Sequence, residues 1–407
     1  MECARCKGNL LCGKIKCPLL QKFRFLRVIE VGNRIDNPTP PSAFVGRVGY
    51  PKVYAGSLVA INPENFESIE LLDAPWAWKN NIEEVIKYRV SLIRTTKRLD
   101  VNMASNPDYY LMDVQEATAS IKPVEVEAEI NRINRKLSFD DTMQPMGFNA
   151  IVSKFKVMNN PKIPDKVEKV YYDDMKAVDS LKYLKDRGFS TYYLQKLFSI
   201  GMLGYRKNRK LVPTRWSITA IDSMVSRRIR DEVVKRSPII NEYRVYEFHD
   251  IGTKFVVLMI PEAWSYELIE AWYPGSAWNM SSRSIAIGGD WEDYGGRTKY
   301  AEIGGCYYAA RLAVCEHLIK EKRQAKVVVL REAHPGYIMP VGVWQVRENV
   351  RNALKQPPLK FSSLNEALNY IAGKFDIPIQ FWIWKSKLIQ SEIFQKKLTD
   401  FMINRNS

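Results

Sequence analysis

The sequence has few long apolar stretches. The longest uninterrupted run is Phe255-Val-Val-Leu-Met-Ile260, far below the ~20 residues that span a bilayer as a helix. The opening residues, Met1-Glu-Cys-Ala-Arg-Cys-Lys7, break the apolar stretch that a signal peptide needs. The expectation is therefore a soluble, cytoplasmic protein with no membrane partner. Histidine is scarce: His249, His317 and His334 are scattered and read as structural residues, not as a catalytic set. No internal repeat is visible, and the GxxxxGK[ST] order of a phosphate-binding P-loop is absent. Acidic residues are in deficit, with 45 against 61 Lys and Arg, for a net charge of +16 in 407 residues. That surplus points to a polyanionic partner, and without a membrane signal the partner expected is nucleic acid. The length suggests two to three domains at roughly 150 residues each.

Cysteine is also sparse after the first turns of the chain. Four of the six lie at Cys3, Cys6, Cys12 and Cys17, and only Cys306 and Cys315 lie beyond them. A CxxC turn aims two thiolates at one point, and four soft ligands suit tetrahedral zinc. Gly8 and Gly13 allow the turns, and Arg5, Lys7, Lys14 and Lys16 offset thiolate charge. A structural zinc knuckle over residues 1–19 is the reading, with disulfides or free thiols as the alternative. Cys306 and Cys315 sit among apolar neighbours and read as core.

Periodicity predicts an α+β fold of mixed sheets and helices, because strands and helices alternate without a regular βα pattern. Residues 37–42 read as a stiff proline-rich loop. Residues 43–56 read as a hairpin, or a strand that something else approaches closely. Helices are expected over 80–95, over 113–137 with a break at Pro123, over 219–234 and over 300–321. Two or three short helices are expected within 174–204, one capped by Ser190 and stopped by Gly201. Two strands within 242–260 flank a turn at Asp250-Ile-Gly252, and 326–331 reads as a buried strand. Ser363 with Glu366 forms a capping box.

Positive charge concentrates in residues 205–236. Ten cations (Arg206, Lys207, Arg209, Lys210, Arg215, Arg227, Arg228, Arg230, Lys235 and Arg236) against Asp222, Asp231 and Glu232 leave +7. Residues 205–212 resemble a basic hairpin with its turn near Asn208, and beside a helix this gives a winged-helix-like segment suited to holding phosphates. Next to it, Arg215 and Ser217 are candidates to grip a phosphate and Trp216 to stack on a base. Arg47 is a weaker anion candidate.

Residues 283–305 carry three Gly-Gly pairs, at 288–289, 295–296 and 304–305. Asp290, Glu292 and Asp293 lie between the first two, with Arg283, Arg297 and Lys299 around them. Gly288 and Gly289 would let backbone N–H groups approach an anion. Clustered carboxylates suit Mg²⁺ or Mn²⁺ polarising a phosphodiester, which would make Asp290, Glu292 and Asp293 the catalytic set of a nuclease or nucleotide hydrolase. The competing reading is a glycine-rich loop whose acids pair with Arg283 and Arg297. An RNA-processing factor is a third class that the charge permits.

Near the C-terminal end, Gln395-Lys-Lys-Leu-Thr-Asp-Phe-Met402 fits the pattern by which peptides dock on the sliding clamp PCNA. Leu398, Phe401 and Met402 form an apolar plug on one helical turn, and Gln395 bonds at the rim. Met402 stands where an aromatic is usual.

Several long motifs together resemble one family, that of the archaeal Nre proteins. They are the four-cysteine segment ending Cys17-Pro18, Phe44-Val-Gly-Arg-Val-Gly-Tyr-Pro-Lys-Val-Tyr54, Leu211-Val-Pro-Thr-Arg-Trp-Ser217, Gly289-Asp-Trp-Glu-Asp-Tyr-Gly-Gly-Arg-Thr-Lys-Tyr300 and the tail. The resemblance implies an N-terminal region over 20–295, a C-terminal region over 296–385 and a docking tail over 386–407. It also implies a role in DNA repair and binding to PCNA; with DNA as the other partner expected from the charge, the protein is expected in the cytoplasm near the nucleoid. It leaves open whether there is a catalytic activity.

Overall fold

The computed structural model describes residues 32–78, 81–134, 145–276, 278–279, 281, 283–337 and 340–394. The cysteines expected to form the zinc knuckle and the expected docking motif at 395–402 lie outside the described residues. Two compact units divide the chain between Val225 and Ser226.

The first unit is built on a six-stranded sheet. Its strands are β1 (Arg34–Thr39), β2 (Ala43–Val45), β3 (Lys52–Ala60), β4 (Leu92–Asp100), β5 (Val124–Asn134) and β6 (Asn149–Val157). Their order is β1-β5-β6-β4-β3-β2. Only the β4–β6 pair is parallel. Helices α1 (Ile82–Val90), α2 (Tyr109–Ala119), α3 (Asp165–Tyr172), α4 (Ala177–Lys185), α5 (Thr191–Ser199) and the start of α6 (Thr214–Glu232) belong with it.

Some boundaries differ from expectation for clear reasons. The proline-rich segment 37–42 enters β1, which pairs only with β5 at the sheet's edge, where a missing N–H is tolerated. Helix α1 ends at Val90, and Leu92 onward is β4. The helix expected over 113–137 is instead α2 followed by β5. Val124-Glu-Val-Glu-Ala-Glu-Ile130 alternates buried and less buried positions, the period of a half-covered strand. The close approach expected at 43–56 occurs at Gly56. A Cβ there would meet the Thr95 carbonyl oxygen at 1.8 Å and the Tyr110 hydroxyl at 2.6 Å. The Tyr110 hydroxyl donates to the carbonyls of Ala55 (2.9 Å) and Thr95 (3.2 Å), tying α2 to the sheet.

The second unit has a mixed sheet of β7 (Tyr243–Asp250), β8 (Thr253–Ile260), β9 (Ser265–Trp272), β10 (Ala286–Glu292), β11 (Lys326–Ala333) and β12 (Leu359–Phe361). The order is β10-β9-β11-β8-β7-β12, and β9 runs parallel to β11. Its helices are α7 (Gly305–Glu321), α8 (Trp344–Ala353), α9 (Leu364–Ala372), α10 (Ile379–Lys385) and α11 (Lys387–Phe394). Alternation along the strands feeds two cores. Phe255, Val257 and Met259 of β8 pack with α7 and α8, and Val256, Leu258 and Ile260 pack with α9, α10 and α11. The sheet is thus covered on both faces, which explains why β8, β9 and β11 are buried almost throughout.

Glu267, the third residue of β9, is buried and anchors the last described helix. Its carboxylate accepts from the Ser386 hydroxyl and from the backbone N–H groups of Lys387 (2.8 Å) and Leu388 (3.1 Å), satisfying α11's orphan donors. Lys326 pairs with Glu392 at 3.0 Å on the same helix. Half of the expected capping box forms: Ser363 Oγ accepts from Glu366 N at 3.3 Å, whereas the Glu366 carboxylate accepts from the backbone N–H of Ser362 (3.1 Å), one residue before the cap. Cys306 and Cys315 are free thiols inside the core. Among the described residues, no helix is long and apolar enough to cross a membrane.

Candidate nucleic-acid interface

The basic segment separates into cations that hold the fold and cations that do not. Residues 205–212 do not form a hairpin wing. Arg206–Asn208 is a single 3-10 turn, and Leu211 N and Val212 N donate to Val101 O and Ser199 O, both at 2.8 Å. Those bonds commit the chain to neighbouring elements and leave no strand pair for a wing. Arg209 is buried: it donates to the carbonyls of Gly204 (2.9 Å) and Tyr171 (2.6 Å) and stacks on the Tyr171 ring. Burial lowers its pKa from the ordinary arginine value. Arg228 pairs with Glu232, Arg230 with Asp231 and Glu292, and Lys235 with Asp231.

Ten cations less Arg209, Arg228, Arg230 and Lys235 leave six, and all six (Arg206, Lys207, Lys210, Arg215, Arg227 and Arg236) are exposed. None of them pairs with a carboxylate among the described residues. Arg206, Lys207, Lys210 and Arg215 lie in the first unit: Arg206 and Lys207 on the 3-10 turn, Lys210 in the link after it and Arg215 in the first turn of α6. A cavity of about 300 Å³ opens at the same turn, with Phe198, Leu203 and Val212 as its apolar wall and Lys176, Arg209 and Lys210 as its cationic lining.

The start of α6 also meets the β2–β3 hairpin. Val45 N donates to Thr214 Oγ1 at 2.8 Å, and the rings of Tyr50 and Trp216 lie 5.3 Å apart, tilted by 50°. Arg47, at the hairpin tip, is exposed. Ser217 is buried, and its hydroxyl donates to Gln195 O at 2.6 Å. It positions α6 and has no proton free for a phosphate.

The acidic constellation is distributed. The glycine-rich stretch is not a loop at 286–292 but the edge strand β10, paired with β9 along its whole length. Gly288 and Gly289 fall inside that strand. Asp290 pairs with Arg297 at 2.7 Å and accepts from the backbone N–H groups of Trp291 and Glu302, both at 2.8 Å. Burial alone would raise its pKa, but Arg297 and these N–H groups hold it below the ordinary carboxylate value. Glu292 is buried between Arg230 (2.8 Å) and Arg311 (2.6 Å). Asp293 is exposed. Arg283 and Lys299 are exposed, and the carbonyl of Lys299 accepts from Arg297 Nε at 2.8 Å.

Among the described residues, one other group has metal-ligand types close together, with Glu332, His334 and Asp376 placing one ligand atom each within 4.8 Å of the others. His334 Nε2 is 2.6 Å from Glu332 Oε1 and 3.6 Å from Asp376 Oδ2. Lys254 already supplies a positive charge there, 2.9 Å from Asp376 and 3.7 Å from Glu332. The Lys254 bond holds the Asp376 pKa below its ordinary value. Glu332 also accepts the backbone N–H groups of Asp376 (3.1 Å) and Ile377 (2.9 Å). The arrangement serves as a brace for the turn before α10.

Comparison with known proteins places these elements in context. The family model described as "Archaeal Nre, N-terminal" matches residues 11–279, and "Archaeal Nre, C-terminal" matches 292–401. The chain belongs to the archaeal Nre family. Its relatives include "DNA repair protein NreA" of Archaeoglobus fulgidus, 52% identical over 90% of this chain and 92% of that protein. "DNA repair protein NreB" of the same organism is 38% identical over 99% of this chain and 100% of the relative. "DNA repair protein NreA" of Haloferax volcanii is 34% identical over 91% and 90%. No solved structure matches the chain.

Within this Nre chain, the two family matches divide between 279 and 292, ahead of or inside β10, whereas the compact units divide inside α6. Sequence reasoning singled out Arg47 and Trp216 separately and missed that folding joins them through Tyr50. It also missed Tyr54 and Arg98, exposed partners across β3 and β4. For Tyr54 the signal was present as alternation, Lys52 and Tyr54 being exposed and Val53 and Ala55 buried, whereas Tyr50 lies in a tip that is exposed throughout.

Proposed function

We propose that this Nre protein acts in DNA repair, gripping DNA phosphates with Arg206, Lys207, Lys210 and Arg215. The tail residues Gln395, Leu398, Phe401 and Met402 recruit it to PCNA. The observation that carries the DNA reading is the sorting of charge. Four cations of one segment satisfy the fold, and four others stand exposed in one unit without a carboxylate partner among the described residues. Unpaired surface cations repel one another, and a phosphate backbone relieves that repulsion while releasing counterions. The printed names of the relatives supply the repair context. Clamp recruitment rests on the spacing of the tail motif.

The metal-dependent nuclease reading finds less support. Glu292 is clamped by two arginines and Asp290 by one, so a divalent ion would have to displace buried guanidinium groups.

Binding of a labelled duplex by the full chain over a salt series tests the DNA reading. Replacing Arg206, Lys207, Lys210 and Arg215 by Gln should lower the log–log salt slope by up to about 3.6, near 0.9 per phosphate contact. An unchanged slope, or no DNA binding by the wild type, overturns it. Phe401→Ala should abolish co-elution with PCNA, and undiminished co-elution overturns the recruitment claim.

A further inference from the structure

We infer that the β2–β3 hairpin tip and the first turn of α6 form a stacking platform for unpaired bases. The preferred ligand is then single-stranded DNA, or a duplex with melted bases, over intact duplex. This rests on the DNA-binding reading above and specifies its substrate.

The platform has three exposed rings. Tyr50 is 46% exposed, Trp216 47% and Tyr54 39%, and Val48 projects at the tip at 84%. Isolated surface aromatics need no explanation. Here Tyr50 and Trp216 come from segments far apart in sequence, touch each other and still leave nearly half of each ring to solvent. The open part of each side chain is still hydrated, so a base arriving against it buries fresh apolar surface.

The surroundings are cationic. Arg47, Lys52, Arg98 and Arg215 are exposed, and none is in an ion pair among the described residues. Asp100, opposite Lys52 across the strand pair, spends Oδ1 on the backbone and side-chain N–H groups of Asn102, both at 2.9 Å. Aromatic faces interleaved with free cations match bases alternating with phosphates, and that charge complementarity excludes a basic partner.

The tip is also preorganised. Gly46 N donates to Tyr54 O at 2.8 Å and Lys52 N to Gly49 O at 2.9 Å, with Gly49 at φ +82°. Val101 N donates to Pro51 O at 2.9 Å, and the Val45–Thr214 bond fixes the hairpin against α6. Little ordering entropy remains to be lost when a strand binds. Bases inside a duplex are already stacked on each other and cannot use the rings, whereas phosphates are common to both forms. The cations therefore set affinity for any DNA, and the rings set the preference for single strands.

The test is fluorescence anisotropy of the full chain with a 20-nucleotide labelled strand, its duplex and the RNA of the same sequence. The wild type should prefer the DNA strand. Tyr50→Ala with Trp216→Ala should weaken strand binding about tenfold or more and duplex binding less than about twofold, with the salt slope unchanged. Trp216→Phe, which keeps a ring, should retain most of the preference, whereas Trp216→Leu should lose it; thermal unfolding of each variant confirms that it is folded. Equal loss on strand and duplex, or an unaltered preference in the double variant, overturns the platform while leaving DNA binding intact. Tighter binding of the RNA overturns the assignment to DNA. A wild type that binds no DNA fails at the earlier step, independently of the rings.

Discussion

Replacing Glu292 by Gln tests whether that residue is a structural clamp or a spare catalytic acid. Its side chain is 0% exposed and lies between Arg230 and Arg311, themselves 5% and 1% exposed. Glutamine keeps the shape and removes the charge. Arg230 retains Asp231 at 2.8 and 2.9 Å. Burial works against the Arg230 charge, but Asp231 and Glu292 together lift its pKa above the ordinary arginine value. Arg311 keeps the Ser226 hydroxyl at 3.1 Å and the rings of Tyr307 and Tyr308 but loses its close carboxylate. Breaking a buried pair costs about 3–5 kcal/mol, and the surviving contacts place this change near 3. For a unit of this size that is a fall in Tm of roughly 6–12 °C. Asp293→Asn, three atoms of backbone away but exposed, should change stability by less than about 0.5 kcal/mol. Thermal and urea unfolding followed by tryptophan fluorescence give both numbers. If Glu292→Gln unfolds with the wild type, or no earlier than Asp293→Asn, the clamp is not holding the unit together and the argument against a metal at Glu292 loses its basis.

Three further outcomes are expected. Burial pushes the Asp250 carboxyl from 3.8 up to about 6, and its Oδ1 is buried without a hydrogen-bond partner among the described residues. The folded state then keeps a proton that the unfolded chain releases, so stability is full below about pH 4 and falls as pH rises through about 6, costing roughly 2–3 kcal/mol by pH 7. Asp250→Asn should flatten that window and unfold later than the wild type at pH 7; parallel pH profiles for the two proteins would contradict the assignment. Gly56→Ala drives a methyl group into the Thr95 carbonyl and should cost at least about 3 kcal/mol in urea unfolding, and a silent substitution would rule out the β3–β4 register described. Metal analysis of the purified protein should find one zinc per chain, lost when Cys3 and Cys6 become Ser; a zinc-free protein with those cysteines disulfide-linked would reject the knuckle.

Local chemistry was legible wherever a residue acts on its immediate neighbours. Ser190 caps α5 by accepting from Tyr193 N, and Ser363 caps α9. The Asp250-Ile-Gly252 turn joins β7 to β8 with both Ile251 and Gly252 at positive φ, the geometry that suits a hairpin. The reading failed where tertiary partners decide. Gly288 and Gly289 are poor strand formers, yet β9 offers them a complete ladder. Nothing local marks Glu292 as buried, because its partners are 62 and 19 residues away. Arg209 sits in the middle of a basic run but faces inward to two carbonyls. Charge counted along the chain therefore overstated the surface available to a polyanion, and folding removed four of the ten cations from it.

The bond set around Glu267 bears on how force would travel through the molecule. Helix α11 is bolted by its leading end to β9, one strand in from the sheet's edge, through a buried carboxylate. A pull exerted on whatever follows Phe394 would be delivered to β9 and its neighbours instead of peeling a loosely attached surface helix. A segment held at such a mooring point can tug on a large moving partner without unravelling the body behind it.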